Sequence, residues 1–324
     1  MNVKSRARIG AVVGTAALAL GALSAPAFAN PPAGNFRVLA GVGSDTTQDV
    51  MNGLGNAIDN GSLIASYDAT GTSPIKTRAV GCEIARPNGS SAGINALRNA
   101  VDNKTGCLDF ARSSRGVADS STTDLTWIPF GKDAVTYAVR GDSALPKALT
   151  KAQLVNIYTC KTKSLNGVPL TPLLPQSGSG TRSFFLGQLG LTESTFGSCV
   201  DDTVQEHNGE ALDSAGDIAP YSVAQYIAQG NEIPGVVDRR GAAVLGSLNG
   251  VQPQLADGTL NTAFPFNRDI YNVVPTAKVT GADPTMTAAF VGSTSKVCAQ
   301  TAVIKTYGFG TIANCGDTTL KGES

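Results

Sequence analysis

Apolar residues along this chain follow two different spacings, one typical of strands and one typical of helices. Continuous apolar runs at Phe36–Val42, Leu63–Tyr67 and Leu108–Ala111 predict short, buried strands. Between these runs, apolar residues recur every three or four positions, which predicts helices. Further strands are predicted at Ile75–Val80, Leu125–Phe130, Ala134–Val139, Val236–Leu245 and Ile270–Val274, and further helices at Leu149–Tyr158, Ala219–Ala228 and Thr285–Tyr307. Because strands and helices alternate, the pattern predicts an α/β protein.

Three loops rich in glycine, serine and threonine each come just before a helical pattern. They are Gly43–Thr47, Pro87–Gly93 and Ser177–Arg182. A helix start has unpaired N–H groups and the positive end of the helix dipole, so such a loop can hold an anion. Each loop alone is typical of a capped helix, with Asp45 or Thr46 capping the first and Ser90 or Ser91 the second. Three loops together predict that the helix starts meet at the carboxyl ends of the strands, where open α/β sheets bind ligands.

Three arginines near these loops are candidates for the charge that would face an anion. Arg112 and Arg115 flank the polar loop after the strand at Leu108–Ala111, and Arg182 lies at the start of the third helix. Each of them could equally be a surface residue or a bridge between lobes. The sequence leaves this choice open.

The first 29 residues have the pattern of a signal peptide. Lys4, Arg6 and Arg8 precede an apolar run from Ile9 to Leu23, and Ala27–Ala29 is a small-x-small cleavage site. We therefore predict an exported mature chain that begins at Asn30. A cysteine is missing at the cleavage site, so a lipid-anchored lipoprotein is not expected.

Charge and cysteine content narrow the possibilities for the mature chain. Removing the leader with its three basic residues leaves 22 of the 25 basic residues against 25 acidic ones, a net charge of −3 that argues against nucleic-acid binding. Six cysteines in an exported chain predict three disulfides, with fifteen possible pairings. We favour sequential pairing, Cys82–Cys107, Cys160–Cys199 and Cys298–Cys315, because each bridge then stays within one local region of the chain. Without a CxxC motif and with His207 as the only histidine, no metal site or cofactor is expected.

Enzyme signatures in the sequence are weak. The serines around Ser179 lack the spacing of a nucleophile elbow, and no G-K-[ST] motif marks a P-loop. His207 is the only possible imidazole base for a serine hydrolase, and we expect it to lie in a surface loop. Asp201, Asp202 and Glu206 do not have the spacing of a calcium loop. We therefore expect a protein without catalytic activity.

Several short motifs, taken in their order along the chain, resemble the PstS-like phosphate-binding proteins of ABC transporters. The resemblance covers about Phe36 to Phe185 and implies the type II periplasmic-binding fold, in which two α/β lobes joined by two crossover strands close on an oxyanion. The matching segments are Gly43–Thr47, Gly89–Ile94, Asp109–Ser114, Leu149–Tyr158 and Ser179–Thr181.

Several expectations about this chain follow from the resemblance. It implies lobe I at residues 30–136 plus 266–324 and lobe II at residues 137–265, with a first crossover in Ala134–Val139 and a return near Phe266. It also implies a monomer, a phosphate or related oxyanion as ligand and an ABC transporter permease as partner. The candidate ligand-binding residues are Asp45, Thr46, Thr47, Ser90, Ser91, Ser114, Arg115, Ser179, Gly180, Thr181 and Arg182.

The chain departs from the family at two positions. The family commonly has an aspartate where this chain has Ser114, and an arginine a few residues before Ser179, where this chain has Pro175 and Gln176. Losing both partners avoids leaving one buried charge unpaired. Either Arg115 or Arg182 then supplies the charge and Asp45 an acceptor, or the ligand is another oxyanion such as sulfate or a phosphoester. Two further hypotheses stay open: an extracellular hydrolase, and a secreted structural or adhesive protein with an empty cleft.

Overall fold

One long strand, β6 (Leu125–Arg140), runs through the centre of the molecule. The computed structural model describes residues 30–324, so the predicted signal peptide lies outside the described residues. The sequence pattern predicts two strands in the β6 segment, but the structure has one continuous strand. Its neighbour β15 (Asn267–Pro275) pairs antiparallel with it, and a register shift between Ile270 and Tyr271 lets the pairing continue past Gly131.

Residues 30–324 form sixteen strands, eight α-helices and two 3-10 helices. The strands before β6 are β1 (Leu39–Gly43), β2 (Ile64–Ser66), β3 (Ile75–Lys76), β4 (Glu83–Ile84) and β5 (Phe110–Ser113). The later strands are β7 (Ala148–Leu149), β8 (Ser164–Leu165), β9 (Val168–Pro169), β10 (Thr171–Pro175), β11 (Asp201–Val204), β12 (Asp217–Ser222), β13 (Ala243–Leu245), β14 (Ser247–Leu248), β15 and β16 (Lys321–Gly322). The α-helices are α1 (Gln48–Ala57), α2 (Ser90–Asp102), α3 (Lys151–Tyr158), α4 (Gly180–Leu189), α5 (Val223–Gly230), α6 (Thr276–Thr280), α7 (Pro284–Phe290) and α8 (Thr301–Thr306), and the 3-10 helices are Ile58–Gly61 and Gly209–Ala211.

The main sheet contains parallel strands at both ends and antiparallel strands in the middle. Its order is β11-β10-β12-β6-β15-β5-β1-β2, and β13 and β16 also pair with β6. Strands β1, β2 and β5 are parallel to one another, and so are β10, β11 and β12. The two groups run in opposite directions, because β5 pairs antiparallel with β15, β15 with β6 and β6 with β12. Helix α1 begins after the carboxyl end of β1 in the first group, and α4 begins after that of β10 in the second. The mixed α/β fold predicted from the sequence is therefore confirmed.

The two largest of four apolar clusters in residues 30–324 pack against the two ends of this sheet. The core at the β1 end includes Met51, Leu54 and Phe110, and the core at the β12 end includes Tyr158 and Phe185. Strands β6 and β15 are the elements that connect the two ends. The division into lobes at residues 30–136 plus 266–324 and 137–265 stays a prediction, and β6 and β15 would be its crossovers.

Several element boundaries differ from the sequence prediction. The predicted helix Ala219–Ala228 begins only at Val223, because the preceding residues pair with β6 and Ser222 caps the helix by accepting from the Gln225 N–H. Of the predicted strand Val236–Leu245, only the last three residues form a strand, β13. The predicted tail helix is two shorter helices, α7 and α8, since the chain between them turns at Gly292 to carry the Cys298 disulfide.

The cysteines pair in sequential order, as predicted. The bridges are Cys82–Cys107, Cys160–Cys199 and Cys298–Cys315. In the part of the chain that the structure describes, no helix combines the length and apolar character needed to cross a bilayer. The same residues contain no group of three or more His, Cys, Asp or Glu side chains placed to hold a metal ion.

Candidate anion-binding site

Four hydroxyl groups from four separate parts of the chain meet at one buried point. Thr46 Oγ1 lies 3.1 Å from Thr181 Oγ1 and 3.2 Å from Ser114 Oγ, and Ser114 Oγ lies 3.3 Å from Ser90 Oγ. All four side chains are fully buried. They come from the loop before α1, the first turns of α2 and α4, and the residue that follows β5. We call this group, Thr46, Ser90, Ser114 and Thr181, the hydroxyl cluster.

Thr46 has more polar neighbours than one hydroxyl group can satisfy. Besides Ser114 and Thr181, its Oγ1 lies 2.9 Å from His207 Nε2, 3.4 Å from Glu206 Oε2 and 3.4 Å from Arg268 Nη2. A hydroxyl group donates one hydrogen bond and accepts two, so five neighbours exceed its capacity. Most of these neighbours carry donor hydrogens. The cluster therefore has a surplus of donors that an additional acceptor could use.

Arg268 is the cation of this site. Its guanidinium donates to Asp133 Oδ2 from Nε at 3.0 Å and from Nη2 at 2.8 Å, and Nη2 also donates to Thr181 Oγ1 at 3.0 Å. The pairing is built into the sheet, because Arg268 on β15 lies directly opposite Asp133 on β6. Phe184 covers the guanidinium at 5.3 Å. Within residues 30–324, Nη1 of this buried side chain has no hydrogen-bond partner.

Glu206 and His207 approach the cluster from the segment after β11. His207 Nε2 lies 3.3 Å from Glu206 Oε2, and both side chains are buried. Burial alone would raise the pKa of Glu206, but the hydrogen bond and electrostatic attraction of His207, a hydrogen bond from Ser179 and the charge of Arg268 bring it below its usual value. Glu206 is therefore ionised at neutral pH. Its Oε1 atom has no hydrogen-bond partner among the residues that the structure describes.

Two of the three helix starts at the cluster are capped differently from the sequence prediction. The N-cap positions are Thr47 for α1 and Gly89 for α2, rather than Asp45 or Thr46 and Ser90 or Ser91. No side chain of residues 30–324 caps either helix. Helix α4 is capped by Ser179, which accepts from the Arg182 N–H at 3.0 Å. Uncapped helix starts leave their partial positive charge available to an anion.

Gly180 allows the second half of the chain to approach the first. A Cβ atom at this position would lie 2.3 Å from Ser90 Oγ and 2.4 Å from Ser114 Oγ. Only glycine lets α4 start this close to the two hydroxyl groups. Nearby, Ser91 N donates to Gly178 O at 3.1 Å, so the two loops also touch through their backbones.

Two of the candidate charged residues interact elsewhere. Arg182, predicted to face the anion, instead forms ion pairs with Glu193 at 2.5 Å and Asp202 at 2.9 Å, so its charge is already neutralised. The carboxylate of Asp45, proposed as an acceptor for the ligand, accepts from Gln205 Nε2 at 2.6 Å and pairs with Arg239 at 3.4 Å. Both side chains therefore have protein partners outside the hydroxyl cluster, and their roles in ligand binding stay predictions.

The remaining candidates surround the cluster without entering it. Arg115 donates to Ser91 Oγ at 3.1 and 3.0 Å and to Gly116 O, so this pair points away from Thr46. Arg112 lies behind the first loop and donates to the carbonyl groups of Gly41, Gly43 and Ser44. Burial lowers the pKa of Arg112 to about 10, which leaves it charged and able to hold that loop in place.

Thr47 also lies beside the cluster rather than in it. Its buried Oγ1 has no hydrogen-bond partner among residues 30–324.

Sequence reasoning missed Arg268, Asp133 and Glu206 and misplaced His207. His207 is buried, not in a surface loop, because Ser222 N donates to its Nδ1 at 3.2 Å. The only local signal was an arginine at the start of the predicted strand Ile270–Val274. Its partner is 135 residues away in sequence, so no local pattern could pair them.

The tautomer of His207 limits the chemistry of this site. Since Nδ1 accepts a backbone N–H, the ring proton must be on Nε2, which is the nitrogen that faces Thr46 and Glu206. A general base needs a free lone pair directed at the hydroxyl group it deprotonates. His207 presents a proton instead, so this arrangement binds an acceptor better than it activates a nucleophile.

Comparison with solved structures identifies related folds. An ABC-type phosphate transport receptor from Vibrio cholerae is similar at a TM-score of 0.55 and 17% identity, over 85% of this chain and 100% of that one. A putative phosphate ABC transporter substrate-binding protein from Clostridium perfringens, solved with bound phosphate, is similar at a TM-score of 0.57 and 15% identity, over 85% of this chain and 99% of that one. The chain has the fold of the periplasmic phosphate-binding proteins. No family profile and no curated protein sequence matches it.

Proposed function

We propose that this protein is a solute-binding protein that holds phosphate or a similar oxyanion in the hydroxyl cluster, without catalysing a reaction. The observation that carries the proposal is the convergence of four buried hydroxyl groups and Arg268 at the starts of α1, α2 and α4. Neutral donors and one guanidinium suit an oxyanion better than a cation or an apolar ligand. The two similar structures, a phosphate transport receptor and a putative phosphate transporter substrate-binding protein, support the same ligand class.

Unpaired polar atoms in the site add to this argument. Arg268 Nη1 and Thr47 Oγ1 are buried donors without partners among the described residues, and leaving such groups unpaired costs about 1–3 kcal/mol each. A tetrahedral oxyanion in the hydroxyl cluster offers several acceptor oxygens, and one of them could accept from Arg268 Nη1. We infer that binding would recover this free energy.

The wider biological role follows from the same proposal. We propose that the leader 1–29 is removed, that the mature chain acts outside the cytoplasm as a monomer, and that it delivers its ligand to an ABC transporter permease. Mass spectrometry of the exported protein tests the first step, and a mature mass that begins at Asn30 is expected.

Isothermal titration calorimetry tests the binding proposal directly. We expect the mature chain to bind inorganic phosphate, sulfate or a simple phosphoester such as glycerol 3-phosphate at one site. If none of the three anions gives a heat of binding, the proposal is overturned.

Thr181→Val tests whether this cluster is the site. Valine keeps the shape of threonine but removes the hydroxyl group that lies 3.0 Å from Arg268 Nη2. Losing a hydrogen bond to a charged ligand costs about 1.5–3 kcal/mol, so we expect binding to weaken roughly 10- to 100-fold. Thr301→Val, at an exposed helix position, is the matched control and should leave binding unchanged. Equal affinity in both variants would exclude the cluster.

A further inference from the structure

The segment Gln205–His207 crosses from the β12 end of the sheet to the loops at the β1 end. Gln205 donates to Asp45 Oδ2 at 2.6 Å and accepts from Asn88 Nδ2 at 2.9 Å, and His207 contacts Thr46 at 2.9 Å. These contacts place Glu206, which lies between them in sequence, inside the hydroxyl cluster.

The Glu206 carboxylate is surrounded by the groups that would hold an anion. Its Oε2 accepts from Thr46 Oγ1 at 3.4 Å and lies 3.3 Å from His207 Nε2, while Ser179 and Arg268 also stabilise its charge. A fully buried, ionised carboxylate is costly unless it is well paired, yet Oε1 has no partner among the described residues. The carboxylate thus accepts hydrogen bonds from the donors of the site through only one of its two oxygens.

The cluster as it stands is also too tight for a second anion. The hydroxyl groups of Thr46 and Thr181 touch at 3.1 Å, so no oxyanion fits between them. A guest could enter only if these groups separated, and its negative charge would be repelled by the carboxylate beside it. Entry of an anion and retention of Glu206 therefore oppose each other.

We propose that Glu206 is an internal anion that fills the hydroxyl cluster and must withdraw when an external oxyanion binds. This inference rests on the function proposed above. Because the external ion must displace an internal competitor, the observed affinity is reduced by the fraction of molecules in which the cluster is open. A protein with the cluster occupied internally nine-tenths of the time or more would bind about tenfold more weakly than one without the competitor.

Glu206→Gln tests the proposal, because it removes the charge and keeps the size of the side chain. We expect the dissociation constants for both phosphate and sulfate to fall by about tenfold or more. Glu210→Gln, an exposed change four residues further along the same segment, is the matched control and should leave both constants unchanged. Calorimetric titration of the three proteins with each anion provides the measurement.

Each other outcome has a definite meaning. If the wild type binds phosphate and Glu206→Gln binds both anions equally well or more weakly, the internal-anion proposal fails and the proposed function stands. If sulfate binding tightens while phosphate binding weakens, Glu206 stays beside the ligand, and the proposal also fails. If only Glu206→Gln binds, the proposal is supported. If neither protein binds, both the proposal and the proposed function are overturned.

A measurement on the wild type covers the case in which the variant does not fold. A crystal structure obtained with sulfate should have the Glu206 carboxylate more than about 5 Å from Thr46 Oγ1, beyond hydrogen-bond reach. A carboxylate that stays within hydrogen-bonding distance of Thr46 beside bound sulfate would refute the displacement.

Discussion

Arg268 offers the sharpest test of how charge is handled in this site. Its guanidinium is paired with Asp133 through two hydrogen bonds, and Asp133 Oδ1 also accepts from Ser222 Oγ at 2.9 Å and from Ala224 N at 3.1 Å. Arg268→Gln would leave this buried carboxylate with only neutral donors. Breaking a buried ion pair on one side costs about 3–5 kcal/mol, so we expect the free energy of unfolding to fall by that amount.

A double variant separates stability from binding. In Asp133→Asn/Arg268→Gln no unpaired charge remains, so most of the lost stability should return. Anion affinity should stay low, because the positive charge is gone. Removing a desolvated charge that contacts a ligand costs about 2–4 kcal/mol of binding free energy, which raises the dissociation constant roughly 30- to 700-fold.

Two assays on the same proteins give the answer. Urea unfolding followed by circular dichroism measures stability, and calorimetric titration with phosphate measures affinity. Arg140→Gln, which breaks a partly exposed pair with Asp142, is the control and should change neither quantity by much. If the folded double variant binds phosphate within threefold of the wild type, Arg268 does not supply the charge of the site.

Two further predictions concern the surroundings of the cluster. Burial, reinforced by the charges of Asp45 and Asp68, raises the pKa of Asp49 to about 7, so its proton favours the native state below about pH 4 and this stabilisation is lost as the pH rises through 7. The free energy of unfolding of Asp49→Asn in urea should therefore exceed that of the wild type by on the order of 1–3 kcal/mol at pH 8 and equal it at pH 4. An equal effect of the substitution at both pH values would contradict this. Gly180→Ala should weaken phosphate binding at least tenfold in calorimetry, because the added Cβ displaces two hydroxyl groups. Gly187→Ala, whose Cβ would meet open space in the same helix, is the control and should leave binding unchanged. Equal affinities of the two variants would show that the close approach at Gly180 is unimportant.

The sequence was sufficient to predict features that depend on neighbouring residues. The α/β class followed from the spacing of apolar residues, and the helix predicted at Leu149–Tyr158 is α3, where Thr150 and Gln153 form a capping box. The three disulfides join cysteines 17 to 39 residues apart, so local pairing was a sound expectation. The loops before α1, α2 and α4 also meet as the pattern predicted.

The identity of the charged residue was beyond what local patterns can decide. Arg182 and Arg268 both lie at the start of an apolar element, and nothing nearby in sequence separates them. In the structure, Glu193 and Asp202 neutralise Arg182, while the strand register places Arg268 opposite Asp133 and beside Thr181. Only the tertiary arrangement determines which arginine faces the cluster.

The two positions at which the sequence differs from the phosphate-binding proteins that it resembles can be compared with the structure. That family commonly has an aspartate and an arginine at the positions of Ser114 and the segment before Ser179. Here an arginine–aspartate pair is present at Arg268 and Asp133, on the two central strands. A buried ion pair therefore lies beside the hydroxyl groups of the candidate site.

The most direct test of the central claim locates the anion itself. Crystals of the mature chain grown with selenate, or with arsenate in place of phosphate, would be measured at a wavelength where the heavy atom scatters anomalously. We predict one strong peak with oxygens within about 3.2 Å of the Thr46 and Thr181 hydroxyl groups and the Arg268 guanidinium. A peak elsewhere, or no peak although the anion binds in solution, would contradict the account.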